Sequence, residues 1–133
     1  MIDGTVFPDA RACVTDLIDG QVHLGDAVTA VWHLAADSYT NPDLWPLVLV
    51  YTGDGTEGYV DRVDRVTLEC YAPGTRAVDT LESIKSLICG TGIDTPHGYL
   101  DSITVDLVPK DTDLQSDILN RARATFLVTS RPL

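Results

Sequence analysis

Residues 61–90 hold the pattern that decides the fold, and they read DRVDRVTLECYAPGT followed by RAVDTLESIKSLICG. In the first half apolar side chains alternate with polar ones. Val66, Leu68 and Cys70 share one face, and Glu69 and Tyr71 lie on the other. This is the period of a strand with one buried face.

The second half changes to the period of a helix. Its apolar stripe is Ala77, Leu81, Ile84 and Leu87 or Ile88. Thr75 stands where an N-cap belongs, and Gly90 stands where a C-terminal glycine belongs. A Pro-Gly corner at 73–74 joins the strand to this helix, so residues 61–90 predict one packing unit of a strand and an amphipathic helix.

The rest of the chain supplies further elements. The patterns predict a helix over 7–18 and strands over 29–35, 46–52, 100–108 and 121–130. Residues 29–35 are compatible with helix or strand, and the β-branched and aromatic content favours strand. The strand at 46–52 is apolar on both faces and is expected to be central. Residues 91–98 are expected to be a loop, and 109–120 a polar connection of twelve residues.

Inward positions follow from the same alternation. In the strand at 100–108 they are Ile103, Val105 and Leu107, and in the last strand they are Ala122, Ala124, Phe126 and Val128. The fold class predicted is α+β, a two-layer domain with a largely antiparallel sheet of four or five strands packed against two helices. Residues 1–133 are expected to form one domain.

Charge and hydropathy exclude several functional classes. The net charge is −11, and residues 1–61 hold ten acids and one base while residues 62–133 hold ten acids and eight bases. Such a chain is a poor ligand for nucleic-acid phosphates. No apolar run approaches the ~20 residues of a membrane span, and the N-terminus lacks the regions of a signal peptide. We therefore expect a protein made in the cytoplasm that contacts no membrane.

The sequence offers no constellation typical of catalysis or metal binding. The three cysteines, Cys13, Cys70 and Cys89, are far apart and lie on predicted apolar faces, as small buried hydrophobes do. Residues 53–58 match G-x-G-x-x-G, but no helical pattern follows to place its N-terminus at a pyrophosphate, so a hairpin turn is expected instead. We predict that the protein is not an enzyme and uses no cofactor.

Three segments carry a resemblance to a known family. They are residues 47–71 with the turn Thr-Gly-Asp-Gly-Thr-Glu-Gly, residues 77–90, and Gln115-Ser-Asp117 leading into residues 121–131. Over residues 28–131 the order of elements and these phrases resemble the tail terminator (tail completion) proteins of long-tailed phages, most of all those of actinobacterial phages.

The resemblance implies a virion structural protein that is assembled in the host cytoplasm and becomes part of the tail. Its subunits would form a homo-hexameric ring that caps the tail tube, stops its polymerisation and joins the tail to the head connector. The implied partners are further copies of the chain, the tail tube protein and the head–tail connector protein, with DNA only as passing cargo. Two alternatives remain, namely another small connector or tail-end protein, and a non-viral binding or regulatory domain.

Seven residues are candidates for subunit or partner contacts. They are Trp32, Trp45, Asp113, Gln115, Asp117, Arg121 and Arg123. The tryptophans are interpreted equally well as core residues or as interface anchors. The three polar residues lie in the long connection before the last strand. The two arginines are predicted on the outward face of that strand, where basic groups would offset repulsion between acidic subunits.

Overall fold

A computed structural model describes residues 6–38, 40–53, 55–58, 61–112, 114, 116 and 118–132. The described helices are α1 (Ala10–Ile18), α2 (Arg76–Ile88) and a short 3₁₀ helix (Pro42–Leu44). The described strands are β1 (Val22–His23), β2 (Asp26–Ala27), β3 (Thr29–Val31), β4 (Leu47–Thr52), β5 (Thr56–Glu57), β6 (Arg62–Ala72), β7 (Gly90–Thr95), β8 (Gly98–Thr112) and β9 (Asn120–Ser130).

Seven of these strands form one sheet in the order β3-β4-β6-β9-β8-β7, with β5 paired to β6 beyond the end of β4. Only the pair β3–β4 is parallel among the described pairs, so the sheet is largely antiparallel, as predicted. Helices α1 and α2 pack on one side of this sheet, which we call the helix face. The opposite side is the back face. The α+β class with two α-helices is therefore confirmed.

The central strand β6 is longer and more buried than its alternation predicts. Val66, Leu68 and Cys70 point into the main core under the helices, as expected. Glu69 and Tyr71 on the back face are also buried, so the expectation of a single buried face is wrong. The reason is long-range, because a second apolar cluster covers part of the back face. Its members are Leu47, Tyr71 and Leu119, with Val31, Leu34, Trp45, Leu49 and Leu114 packed around them.

The helix α2 has the predicted buried stripe. Ala77, Leu81, Ile84 and Ile88 are buried, and Leu87 is exposed. Thr75 occupies the N-cap position, but its side chain makes no capping hydrogen bond. Gly90 is not the residue that ends the helix, because the cap is Cys89 in an extended conformation and Gly90 already belongs to β7. Helix α1 begins later than predicted, at Ala10, where Asp9 caps it by accepting a hydrogen bond from the Ala12 N–H at 3.2 Å.

The sheet has more strands than the four or five predicted. Residues 91–98 are not a loop, since β7 pairs with β8 through Thr95. This strand contains two glycines and no apolar alternation. It forms because the long strand β8 offers it an open edge of backbone hydrogen-bonding groups. The second additional strand, β5, comes from the glycine-rich segment after β4, where Gly53 N–H donates to the Arg65 carbonyl at 2.8 Å. The prediction that this segment belongs to a hairpin is confirmed.

The predicted twelve-residue connection is also shorter than expected. Strand β8 continues to Thr112 and pairs there with Arg121, and Leu119 is buried in the back-face cluster. The prediction that Leu107 points inward is wrong, because its side chain is 59% exposed. Register shifts on both sides of Leu107 interrupt the alternation of β8. The predicted inward faces of Ile103 and of the whole last strand are confirmed.

Candidate functional site

Four of the seven predicted contact residues lie within the described chain, in three different surroundings. Asp113, Gln115 and Asp117 lie outside the described residues. Arg121 and Arg123 belong to the back face of β9, and Trp45 packs in the back-face cluster. Trp32 directly follows β3 and contacts helix α1, so the structure does not bring it together with the arginines.

Trp32 forms a small surface site with helix α1. Its indole Nε1 donates a hydrogen bond to Thr15 Oγ1 at 2.8 Å, and the Arg11 guanidinium carbon lies 4.0 Å from the ring centroid. An arginine over an indole face is a cation–π contact, which is worth about 0.5–1 kcal/mol at an exposed position. The indole remains 36% exposed, so this tryptophan is only partly committed to its own chain.

Trp45 is held more firmly by its own chain. It packs against the cluster that contains Leu47 and Tyr71, and its Nε1 donates to the Ser38 carbonyl at 2.9 Å. Trp45 is half-buried, and an indole that packs on a core cluster and satisfies its single donor is typical of a core aromatic residue. Of the two interpretations of the tryptophans, this geometry favours the core for Trp45.

Glu69 is the centre of a polar network on the back face. Its Oε2 accepts hydrogen bonds from Arg123 Nε at 2.8 Å and from the Tyr51 hydroxyl at 3.0 Å, and Arg123 Nη2 lies 2.6 Å away. Its Oε1 accepts from the Tyr71 hydroxyl at 3.2 Å. The carboxylate is buried, whereas the arginine side chain is 44% exposed. The network therefore holds a buried charge with one cation and two neutral donors, which is the condition for keeping such a charge inside a protein.

The electrostatics of this network follow from those contacts. Burial, followed by the charge of Glu69, raises the pKa of Tyr51. The hydrogen bond to Glu69 is the main cause that raises the pKa of Arg123. Both side chains therefore keep their protons across the physiological range and act as hydrogen-bond donors to Glu69. Arg121 lies beside it and donates from Nε to Thr112 Oγ1 at 2.6 Å.

An apolar corner lies at the end of β8 nearest to these arginines. Leu107 and Val108 are about 59% and 63% exposed, and with Lys110 they border a groove of about 250 Å³. Exposed apolar side chains grouped together on a surface typically mark a contact with another protein. We call residues 107–110 the β8 corner.

The nucleophilic and metal-ligating residues have other surroundings. Burial raises the pKa of the Cys70 thiol to about 12 and also raises the pKa values of Cys13 and Cys89. A thiol that keeps its proton is a poor nucleophile. Within the described ranges, no three His, Cys, Asp or Glu side chains are grouped in a way that could hold a metal ion. No helix of the described part of the chain is long and apolar enough to cross a membrane.

Comparison with known proteins gave no match, either among the models of protein families or among curated proteins.

The sequence patterns do not predict the burial of two charged residues, Glu69 and Asp64. The alternation of β6 predicts that Glu69 faces solvent, because nothing near it in sequence indicates that Arg123, 54 residues away, binds it. Alternation places Asp64 and Arg62 on the same side of β6 as Val66, so both continue the apolar row of that strand. A charged residue that continues an apolar row of a strand, as Asp64 does, is the sequence signal that could have predicted this burial.

Proposed function

We propose that this chain is a non-enzymatic structural subunit, the tail terminator of a long-tailed phage. Copies would form a closed ring at the end of the tail tube, stop its polymerisation and present a surface to the head connector. The observation that carries the proposal is the position of the segments that resemble this family. They correspond to the hairpin β4–β5–β6, the helix α2 and the strand β9, which are neighbours in one sheet and its covering helix.

Self-association is supported by the open edge of the sheet. Strand β7 lies at one edge of the sheet, and its outer backbone groups have no described strand beside them. The β8 corner exposes Leu107 and Val108 on the part of β8 that continues beyond its pairing with β7. Open edges and apolar corners favour contacts between copies, and head-to-tail contacts that close produce rings.

The charge distribution supports a role as a conduit for DNA. Most described acids before Arg62 are exposed, among them Asp9, Asp19, Asp37 and Asp43. An acidic wall does not bind phosphates, which is useful where DNA must pass without being held. Under this proposal the acids face the channel or solvent.

The test combines a measurement of size with a measurement of tube growth. Light scattering after size-exclusion chromatography and negative-stain microscopy should show rings, expected to be hexamers. Purified tail tube protein should polymerise without limit alone and should stop when this protein is added. A strictly monomeric protein that leaves tube growth unchanged would refute the proposal. Rings that bind connector protein but leave tube growth unchanged would favour the alternative of another connector.

A further inference from the structure

A polar cleft of about 410 Å³ lies between the chain before α1 and the hairpin β4–β5–β6. Phe7 and Asp9 line one wall, and Glu57, Arg62 and Asp64 line the other. The cleft is on the helix face, at the end of β6 where that strand begins. We call it the acidic cleft, because its described lining holds three carboxylates and one guanidinium.

One of the two carboxylate oxygens of Asp64 has no hydrogen-bond partner among the described residues. Its side chain is 8% exposed, and its Oδ1 accepts from Arg62 Nε at 3.0 Å. Its other oxygen, Oδ2, is buried and accepts no hydrogen bond from any described residue. A buried carboxylate oxygen without a donor is costly, and buried polar atoms in folded proteins are normally paired. The acidic cleft, which Asp64 lines, therefore contains a carboxylate whose hydrogen bonds the described residues only partly satisfy.

The charges of the acidic cleft favour a cation as an additional partner of its carboxylates. Arg62 forms ion pairs with two of these carboxylates. Its Nε lies 3.0 Å from Asp64 Oδ1, and its Nη1 lies 3.5 Å from Glu57 Oε1. Asp9 caps helix α1 and so compensates the positive end of that helix. The remaining negative charge excludes an anion and favours an ammonium or guanidinium group.

The chain itself carries a suitable cation on the β8 corner. Lys110 is exposed and forms no ion pair with any described residue. Lys85, the other lysine of the chain, is bound to Glu82 at 3.1 Å. Next to Lys110, Leu107 and Val108 supply apolar surface, and Phe7 offers apolar surface at the wall of the acidic cleft. The Lys110 ammonium is opposite in charge to the acidic cleft, and both surfaces contain an apolar part.

One molecule cannot make this contact with itself. Lys110 of β8 pairs in register with Arg123 of β9, and Arg123 pairs with Glu69 of β6. Asp64 lies five residues before Glu69 along β6. That is a separation of roughly 17 Å along the strands, with a further strand in between. Arg123, opposite Lys110, is on the back face, whereas the acidic cleft is on the helix face. A lysine on one corner can therefore reach the cleft only on another copy.

We infer that the acidic cleft of one copy receives the Lys110-bearing β8 corner of a second copy. The contact joins two different surfaces of the same chain, so it is head-to-tail and can close into a ring. Assignment of this contact to a ring rests on the proposed function. The contact itself rests on the charge of the cleft, on the Asp64 oxygen and on Lys110, neither of which is paired with a described residue.

Zero-length cross-linking with a carbodiimide tests the contact directly, because this reagent joins an amine to a carboxylate only where the two touch. The full-length protein is made in ¹⁵N and ¹⁴N forms, mixed, cross-linked and digested. The expected product is a mixed-isotope peptide pair that links Lys110 to Asp9, Glu57 or Asp64. Links from Lys110 to other carboxylates, or none in assembled protein, would overturn the inference.

Charge reversal gives an independent measurement. Lys110→Glu should raise the concentration at which the protein assembles by about tenfold or more, because it places like charges in the cleft. Glu57→Lys in the same chain should restore assembly of Lys110→Glu. Lys85→Glu is the matched control on α2, expected to assemble like the parent, and circular dichroism verifies that each variant is folded. Failure of the second change to rescue the first would contradict the pairing.

The outcomes separate this inference from the proposed function. Rings that cap tubes but link Lys110 elsewhere would overturn the inference alone. Assemblies with the expected link that fail to cap tubes would overturn the proposed function alone. A protein that stays monomeric at every concentration and salt level would overturn both.

Discussion

Removal of the guanidinium from the back-face network should destabilise the protein through the carboxylate it leaves behind. Arg123→Met keeps an apolar stem of similar reach and deletes the charge that binds Glu69 at 2.6–2.8 Å. Among the described residues, Glu69 would then keep only the hydroxyls of Tyr51 and Tyr71 as hydrogen-bond donors. No second cation among the described residues forms an ion pair with the Glu69 carboxylate.

The expected magnitude follows from burial. Removal of one partner of a fully buried ion pair costs about 3–5 kcal/mol, and a surface pair contributes about 0–1 kcal/mol. Here the carboxylate is 8% exposed and the guanidinium side chain 44%, so screening by water reduces the effect to between these limits. We expect the free energy of unfolding to fall by about 1–3 kcal/mol, which corresponds to a melting temperature lower by about 3–12 °C for a domain of this size.

Urea unfolding followed by tryptophan fluorescence, with thermal melts by circular dichroism, measures this loss. Arg131→Met is the matched control, because Arg131 is more exposed and binds the less buried Asp101 at 3.0 Å. It should shift the melting temperature much less. Glu69→Gln added to Arg123→Met should recover part of the loss, since it removes the stranded charge. Equal effects of the two arginine substitutions, or a double variant no more stable than Arg123→Met, would refute the reasoning.

Three further predictions concern the helix, a buried histidine and the ring. Leu81→Asp should prevent folding, because it buries an unpaired carboxylate at a cost of several kcal/mol. Glu82→Ala, on the exposed side of α2, should change the free energy of unfolding by less than ~0.5 kcal/mol. Similar melting temperatures of the two variants would contradict this prediction. Burial lowers the pKa of His23, so the unfolded chain binds more protons than the native one and stability should fall as the pH drops below about 6.5. His23→Gln should flatten that dependence in urea titrations between pH 7.5 and 5.5, and an unchanged slope would count against it. Arg121→Glu should weaken ring assembly, more so at low salt because ions screen the added repulsion, and light scattering that shows equal assembly at all salt concentrations would exclude this role.

Local sequence patterns were sufficient where one element packs against one layer. The stripe of α2, with Leu81 and Ile84 at its centre, and the inward row of β9 around Phe126 were predicted correctly because the helix–sheet core determines both. The pattern failed on β7, which has no period of its own, and at Leu107, where register shifts break the alternation. Both features depend on the neighbouring strand and not on the residues themselves.

The polar sites depended even more on contacts between distant parts of the chain. Tyr71 is buried because Leu119, 48 positions further along the chain, packs on it. Glu69 is buried on the same face of β6. Alternation describes which residues share a face, but it does not reveal whether a distant segment covers that face. The partner of Glu69 therefore became visible only in three dimensions.

The ion pair between Arg123 and Glu69 affects how an assembly defect of an Arg123 variant must be interpreted. An acidic subunit that forms a ring needs cations at its contacts, yet several arginines of the sheet already bind carboxylates of their own chain, namely Arg62, Arg65, Arg123 and Arg131. An Arg123→Glu variant would place two like charges together at a buried site, and its loss of assembly would follow from loss of stability alone. Lys110 carries no such commitment among the described residues, so a charge reversal there leaves the fold intact. If Lys110→Glu and Arg123→Glu abolish assembly equally but only the arginine variant melts at a lower temperature, the contact between copies involves the lysine, and the effect of the arginine is exerted through the stability of the fold.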